Sequence, residues 1–295
     1  MSTADLRSQL QSLAEARFLY LFGVADLDVV RAAEPDALAL VEKMGTVPLS
    51  GPSPFSQRAG DAGTTRETGT VPASGQSLFS RALVFGFPLQ DAVLESLVDR
   101  PTPIYFHLYR QANYQLDSVA LEAAALVQHA GFRAIAIAAS QIVDRGEGEI
   151  SRERGEHGAG NGDGPRIGTV PISRPIFRGH VSHRLLGWAA GLGWRGRNNL
   201  LVNPTYGSRV RYVSVLTDAP IEPDRPLDRD CGKCVACLRV CPAEAIQGKC
   251  EDFRLDLCYA KLCEFARIPF VGQHICGVCV KTCHPSHWPS GSLSP

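Results

Sequence analysis

The chain has 295 residues, enough to bury one large core or two moderate ones without disulfide staples, and this excludes a wholly disordered protein. Lys plus Arg and Asp plus Glu number 30 each, so the formal net charge is zero and argues against a broad phosphate-binding surface. No apolar run reaches the length of about 18 residues that a spanning helix needs, and the charged N-terminal stretch does not read as a signal peptide; the expected location is cytoplasmic, with no membrane association.

Residues 5–16 carry the pattern of an amphipathic helix, and the apolar run from Phe18 to Val24 has the length of a strand. Residues 44–79 are rich in Gly, Ser, Thr and Pro without either periodicity and read as an insertion outside the core, as do the charged, Gly-rich residues 145–172. Gly-Thr-Val-Pro occurs at 45–48, 69–72 and 168–171, a spacing too unequal for a solenoid. Ala82 to Gly86 reads as a second strand. Leu116, Val119, Ala120, Ala123, Leu126 and Val127 fall at helical spacing, with Gly131 placed as a left-handed terminator, and residues 133–138 form the next strand. A helix is expected over 181–191 with Ser182 as its cap. Asn199 to Val202 and Arg209 to Thr217 read as paired strands around the turn at 203–207. This mixture over residues 1–220 predicts an α+β body, and Pro220 to Pro226 reads as the linker to a second unit at 227–289.

The ten cysteines all lie at or beyond Cys231. Without a secretory context, such a cluster points to metal rather than disulfides. Cys231, Cys234, Cys237 and Cys241, followed by Pro242, spell C-x2-C-x2-C-x3-C-P, the bacterial ferredoxin run, in which the fourth thiolate reaches a different cubane from the first three. Cys276, Cys279 and Cys283 spell C-x2-C-x3-C, one thiolate short, so a second [4Fe-4S] cluster needs Cys250, Cys258 or Cys263. A zinc ribbon is the competing reading, but it needs only four ligands and does not call for this run. His284 and His287 lie beside a full thiolate set and read as surface groups.

The segment from His180 through Trp194 and Asn198, then Pro204-Thr-Tyr206-Gly-Ser-Arg209 and Leu216-Thr-Asp218-Ala-Pro, leading into the ferredoxin run, resembles epoxyqueuosine reductases, which are related to reductive dehalogenases. Upstream, Tyr109-x3-Asn113-x2-Leu116-Asp117 resembles a less characterised branch of that group. The resemblance implies a nitroreductase-like cobalamin-binding domain followed by a bacterial-ferredoxin-like domain with two [4Fe-4S] clusters. It assigns Cys231, Cys234, Cys237 and Cys283 to one cluster, and Cys241, Cys276, Cys279 and Cys258 to the other. Cys258 follows Leu255-Asp256; Cys263 is the runner-up and Cys250 the third choice.

By the same resemblance, Gly191, Gly193, Trp194, Gly196, Asn198, Tyr206 and Arg209 help build the corrinoid pocket, glycine suiting close approach of a flat macrocycle to backbone. A helix terminator and tight turn is the plainer reading of the three glycines. The family's proton-donating aspartate is replaced at its offset by Phe177, with Arg178 next, which leaves His183 and His180 as candidate proton donors. Arg195, Arg197, Arg209 and Arg211 form a local basic group.

The implied function is a cobalamin-dependent reductase of a small-molecule substrate, fed by an external donor such as ferredoxin or flavodoxin. The alternative is a non-catalytic electron carrier or reductive activator of another corrinoid protein, and a third reading gives the body a flavin or no cofactor. Balanced charge, the missing aspartate and the chain's end at Pro295 without a further repeat domain set the expectation that tRNA is not the substrate.

Overall fold

The computed structural model describes residues 2–38, 78–141 and 179–287. The expected insertion at 145–172, the residues Phe177 and Arg178, and all of 44–79 except Leu78 and Phe79 lie outside them. Phe79 itself is buried, so the core resumes before that expected insertion ends.

Helix α1 (Thr3–Ala16) starts with a capping box between Ser2 and Asp5 and buries Leu6, Leu10 and Ala14 along one stripe. Strand β1 (Leu21–Asp26) leads into α2 (Leu27–Ala33). Strand β2 (Arg81–Pro88) is followed by the single-turn helix α3 (Asp91–Leu94) and the long helix α4 (Pro103–His129), then β3 (Ala134–Ile137). After the second gap come α5 (His183–Ala189), the short strands β4 (Trp194–Arg195) and β5 (Leu201–Val202), and β6 (Val210–Thr217). Strands β1, β2, β6 and β3, in that order, form one antiparallel sheet.

The sheet is covered on both faces, and the two-residue period of a strand decides which side chain meets which layer. Leu83 and Phe85 of β2 and Val213 and Val215 of β6 join a core with α1 and α4. The alternating residues Ala82, Val84, Tyr212 and Leu216 join a second core with α2 and α5.

The predicted pairing of 199–202 with 209–217 is not formed. Leu201 and Val202 pair instead with Arg195 and Trp194, while β6 sits between β2 and β3. Strand β6 is paired along its whole length by β2 on one side and by the four residues of β3 on the other, which leaves no free edge beside Ser214 to Thr217 and places 199–202 elsewhere. The turn survives as a bridge between Asn203 and Gly207.

Helix α4 is the main departure in length. It begins at Pro103, capped by Thr102, rather than near Leu116, and its 27 residues span about 40 Å. Its second half packs on the sheet, whereas Tyr105, Leu108 and Ala112 of its first half form a third core with Val271 and Ile275 of the cysteine-rich segment. The expected terminator and cap are present: Gly131 has φ +89°, and the Ser182 hydroxyl accepts from the Leu185 amide. The stretch read as a linker is tied to the body, because Ile221 is buried and Asp224 accepts from Arg7 Nη2 at 2.8 Å and from the Val24 amide at 2.8 Å. Short helices α6 (Ala236–Val240), α7 (Leu255–Phe265) and α8 (Val278–Thr282) carry the cysteines, with α6 packed against α8. Among the described residues no helix is long and apolar enough to cross a membrane.

Candidate functional site

All ten cysteines are free thiols. Burial pushes the Cys237 thiol up to about 12, and the neighbours whose charge adds to this are Cys283, Cys231 and Cys234. Burial likewise pushes Cys258 and Cys276 up to about 11, with Cys276 and Cys241 beside Cys258, and Cys241 beside Cys276. Cys279 is raised well above its ordinary value by burial and by Cys276, Cys258 and Cys241. The thiols thus fall into two groups, 231/234/237/283 and 241/258/276/279, which adjoin where Cys279 meets Cys237. Buried thiols packed beside one another resist deprotonation unless a cation offsets the charge, and this donor chemistry suits a thiophilic metal centre. Among the described residues no three His, Cys, Asp or Glu side chains converge on a single-ion site.

Cys250 and Cys263 stand apart. The Cys250 sulfur lies 3.6 Å from Arg184 Nη1 and 3.6 Å from Asn199 Oδ1, facing the body. Cys263 is five residues beyond Cys258 on α7, which turns it about 140° around the helix.

The Gly-rich segment and hairpin clamp the cysteine segment to the body. The Ser208 amide donates to Cys283 Sγ at 3.3 Å. Arg209 donates to the Lys281 carbonyl from Nε at 3.1 Å and from Nη2 at 2.5 Å, and pairs with Asp91 at 2.7 Å. Lys281 Nζ in turn donates to the Leu97 carbonyl at 2.5 Å. Arg197 donates to the carbonyls of Cys234 at 3.1 Å, of Gly232 at 2.6 Å and of Gly248.

This accounts for the seven residues expected at a corrinoid pocket, none of which lines the large cleft described next. A Cβ at Gly191 would stand 2.6 Å from the Arg225 carbonyl oxygen, one at Gly193 would meet the Val202 carbonyl, and one at Gly196 would reach Val202 Cγ2 at 2.5 Å. The space beside these glycines is filled by the chain itself. Trp194 and Asn198 are buried, Asn198 donating to Ser208 Oγ at 3.0 Å, and Tyr206 packs on the second core. The plainer reading of the glycines, as terminator and turn, is the one this packing matches.

A cleft of about 790 Å³ opens between α2, the first half of α4, the end of β3 and the start of α5. Tyr109, Ser140, Gln141, His183, Arg184 and Arg211 line it. His183 is held from both nitrogens: Nε2 lies 2.8 Å from the Ala138 carbonyl and Nδ1 2.9 Å from Ser214 Oγ. The Ala138 carbonyl, which only accepts, favours a proton on Nε2, whereas the Gln141 amide nitrogen 3.2 Å from the same atom favours an accepting Nε2. Burial pushes the imidazole down to about 4. It is neutral near pH 7, and contacts at both ring nitrogens suit a positioning group. His180 is anchored through its amide to Gln141 Oε1 at 2.6 Å, and its buried Nδ1 has no partner; it is not among the residues lining the cleft.

Tyr109, named from the sequence only as part of a motif, is a further titratable group at the cleft. Its hydroxyl lies 2.9 Å from Ser140 Oγ, and Arg211 lies over its ring. Burial alone would raise the phenol, but the Arg211 charge and hydrogen bonds from Ser140, Asn113 and Arg211 outweigh it and bring the group below its ordinary value. Arg211 is fixed in turn by Asn113 Oδ1 at 2.9 Å and the Ala139 carbonyl at 3.1 Å. One helical turn before Tyr109, Tyr105 is buried, and a Cβ at Gly277 would stand 2.6 Å from its ring. Tyr105 therefore joins the 276/279 thiols to the wall of the cleft. The spacing Tyr109-x3-Asn113 is visible in the sequence, but with Tyr105 it marks one helix face only once the helix is known to start at Pro103.

Fold and site together define a mixed helix-and-strand body joined to a cysteine-rich segment through one long helix and an arginine clamp. The chain is similar to epoxyqueuosine reductases. It is 37% identical over 84 residues to the epoxyqueuosine reductase of Listeria monocytogenes, a match covering 28% of this chain and 22% of that protein. That match thus spans about a fifth of the curated relative's length. The solved epoxyqueuosine reductase of Bacillus subtilis aligns with a TM-score of 0.48 at 18% identity, covering 100% of this chain and 68% of that one. An epoxyqueuosine reductase solved with an epoxyqueuosine-modified tRNA stem loop aligns with a TM-score of 0.44 at 17% identity, covering 97% of this chain and 70% of the other. No protein-family model matches the chain.

Proposed function

We propose that the protein is a reductase whose two cysteine groups each hold a [4Fe-4S] cluster and whose cleft receives the substrate. One observation carries this reading: Tyr105, one helical turn before the cleft residue Tyr109, packs on Gly277, which lies between Cys276 and Cys279. The clusters supply single electrons, and the expected external donor refills them. A cleft that combines an electron route with an activated phenol favours catalysis over simple electron carriage.

The open cleft carries guanidinium, amide and hydroxyl groups together with the Glu34 and Asp36 carboxylates, and these hydrogen-bonding groups suit a large cofactor bearing amide side chains, as cobalamin does. Arg184, Gln141 and Ser140 are the residues that would hold it. When bound, cobalamin supplies a metal centre able to take up electrons singly and act on a substrate in a two-electron reduction. Tyr109 gives its phenolic proton to the atom that becomes negative as the substrate bond breaks. Arg211 stabilises the phenolate left behind, and solvent at the open cleft returns the proton.

A balanced total charge does not rule out tRNA, because the total says nothing of how charge is distributed; at the cleft itself Arg184 and Arg211 stand with Glu34 and Asp36. Nor does Phe177 decide the matter, since Tyr109 offers an acid elsewhere. The test is anaerobic purification with iron, sulfide and cobalamin quantified, then reduction with dithionite in the presence of tRNA-borne epoxyqueuosine or a small epoxide. Eight irons per chain and turnover of either substrate are expected. Stoichiometric zinc with little iron would overturn the proposal, as would eight irons with neither cobalamin uptake nor turnover.

A further inference from the structure

A shallow groove of about 600 Å³ lies between the first half of α4 and residues 268–273. Its rim is aromatic and unusually open: Phe270 is 84% exposed and Tyr114 63% exposed. Phe270 also holds φ at +66°, a left-handed backbone that disfavours a bulky side chain, and it still presents its ring to solvent. Between the rings sits Arg110, its guanidinium 5.5 Å from the Phe106 centroid and 5.6 Å from that of Tyr114, with Nη2 donating to the Tyr114 hydroxyl at 2.9 Å. Neither Arg110 nor the exposed Arg267 next to the groove has a carboxylate partner among the described residues, whereas the nearby Glu264 is taken up by Lys261 at 2.5 Å. An apolar groove carrying two uncompensated cations is complementary to a partner with an acidic rim around an apolar centre.

The groove adjoins one cysteine group. Gln273 lines it and is three residues from Cys276, a reach of at most about 11 Å. His274 stacks on Tyr259 with centroids 5.5 Å apart, and Tyr259 follows Cys258. Val271 and Ile275 are buried against Tyr105, so the groove floor and the electron route to the cleft share one packed core.

We propose that this groove docks an acidic one-electron carrier protein, which delivers electrons to the 241/258/276/279 group. The inference rests on the reading of that group as an iron–sulfur cluster. In each encounter the reduced carrier loses one electron and the cluster gains one, with no bond made or broken. Arg110 and Arg267 steer the carrier, and the rings of Phe270 and Tyr114 exclude water from the contact.

The test uses anaerobically loaded protein, with photoreduced flavodoxin as the acidic carrier and dithionite as a small reductant that needs no docking. The double variant Arg110→Glu, Arg267→Glu and the single variant Phe270→Ser are compared with wild type by stopped-flow absorbance. Reduction by flavodoxin is expected to slow about tenfold or more in the double variant and to lose most of its salt dependence. It slows in Phe270→Ser with the salt dependence kept, while dithionite reduces all three proteins equally. An unchanged flavodoxin rate in the double variant overturns the proposal, as does failure of flavodoxin to reduce a wild type that dithionite reduces fully. A wild type in which dithionite develops no cluster signal overturns the iron–sulfur reading itself and the docking proposal with it.

Discussion

The guanidinium carbon of Arg211 stands 4.4 Å from the ring centroid of Tyr109, and its Nη2 reaches the phenol oxygen at 3.4 Å. One cation therefore faces both the ring and the atom that bears charge when the proton leaves, and stabilises the phenolate more than the phenol.

Tyr109→Phe is expected to lower substrate turnover by about 100-fold or more, the usual size of a lost general acid, while leaving the iron content intact. The phenol donates only while protonated, so activity falls as pH rises through its pKa. Because Arg211 lowers that pKa, the alkaline limb lies below the ordinary tyrosine value of 10.0, and it shifts upward in Arg211→Gln. A pH–rate profile of the loaded enzyme with an unmoved alkaline limb in Arg211→Gln would remove Tyr109 from this role.

Cys258→Ala is expected to lose half of the bound iron, whereas Cys250→Ala and Cys263→Ala retain all of it. Cys258 lies among Cys241, Cys276 and Cys279, while Cys250 faces Arg184 and Asn199. Iron and sulfide analysis of the three variants, prepared in parallel, decides the assignment.

Gly207→Ala should disturb a cluster without touching a ligand. Gly207 has φ +64°, and an added Cβ there would collide with the Cys283 carbonyl. Gly131 has φ +89° with nothing within 4 Å, so Gly131→Ala carries backbone strain alone and costs about 1–2 kcal/mol. Gly207→Ala adds an overpacking cost of about 1–3 kcal/mol and should also shed iron from the 231/234/237/283 group. Thermal melts paired with iron counts separate the two effects.

His183 links stability to acid pH. Its folded pKa, about 4, lies below the unfolded value of 6.5, so the folded state binds fewer protons and stability falls as pH drops from about 6.5 towards 4. The stability lost over that range is on the order of 3 kcal/mol. His183→Gln should flatten this dependence between pH 7 and pH 4, measured by urea unfolding of the body at each pH.

What could be read from sequence followed the range of the interactions involved. Strand β2 was legible because Ala82 to Gly86 is a continuous apolar run, which implies burial wherever the partner lies, whereas the run from Phe18 to Val24 placed β1 three residues early, since Phe18 and Tyr20 are exposed and the strand starts at Leu21. The first half of α4 was not legible, because Tyr105, Leu108 and Ala112 find their apolar partners in Val271 and Ile275, far along the chain. The hairpin was mispaired since β4, which takes up β5, has only two residues and leaves no periodic signature. Cysteine spacing marked the thiols, yet nothing local to Gly191, Gly193 and Gly196 distinguishes a turn packed on its own backbone from one that receives a cofactor. Tyr109 and Arg211 are 102 positions apart, and only the sheet and α4 together bring them into one cleft.

The two cysteine runs are interleaved: Cys241 from the first keeps company with the second run, and Cys283 from the second with the first. With iron bound in both groups, the second set of four thiols is complete on the growing polypeptide only at Cys279 and the first only at Cys283. A nascent chain stalled between Cys279 and Cys283 would present seven proposed ligands, one complete set of four and three thiols still waiting for their partner.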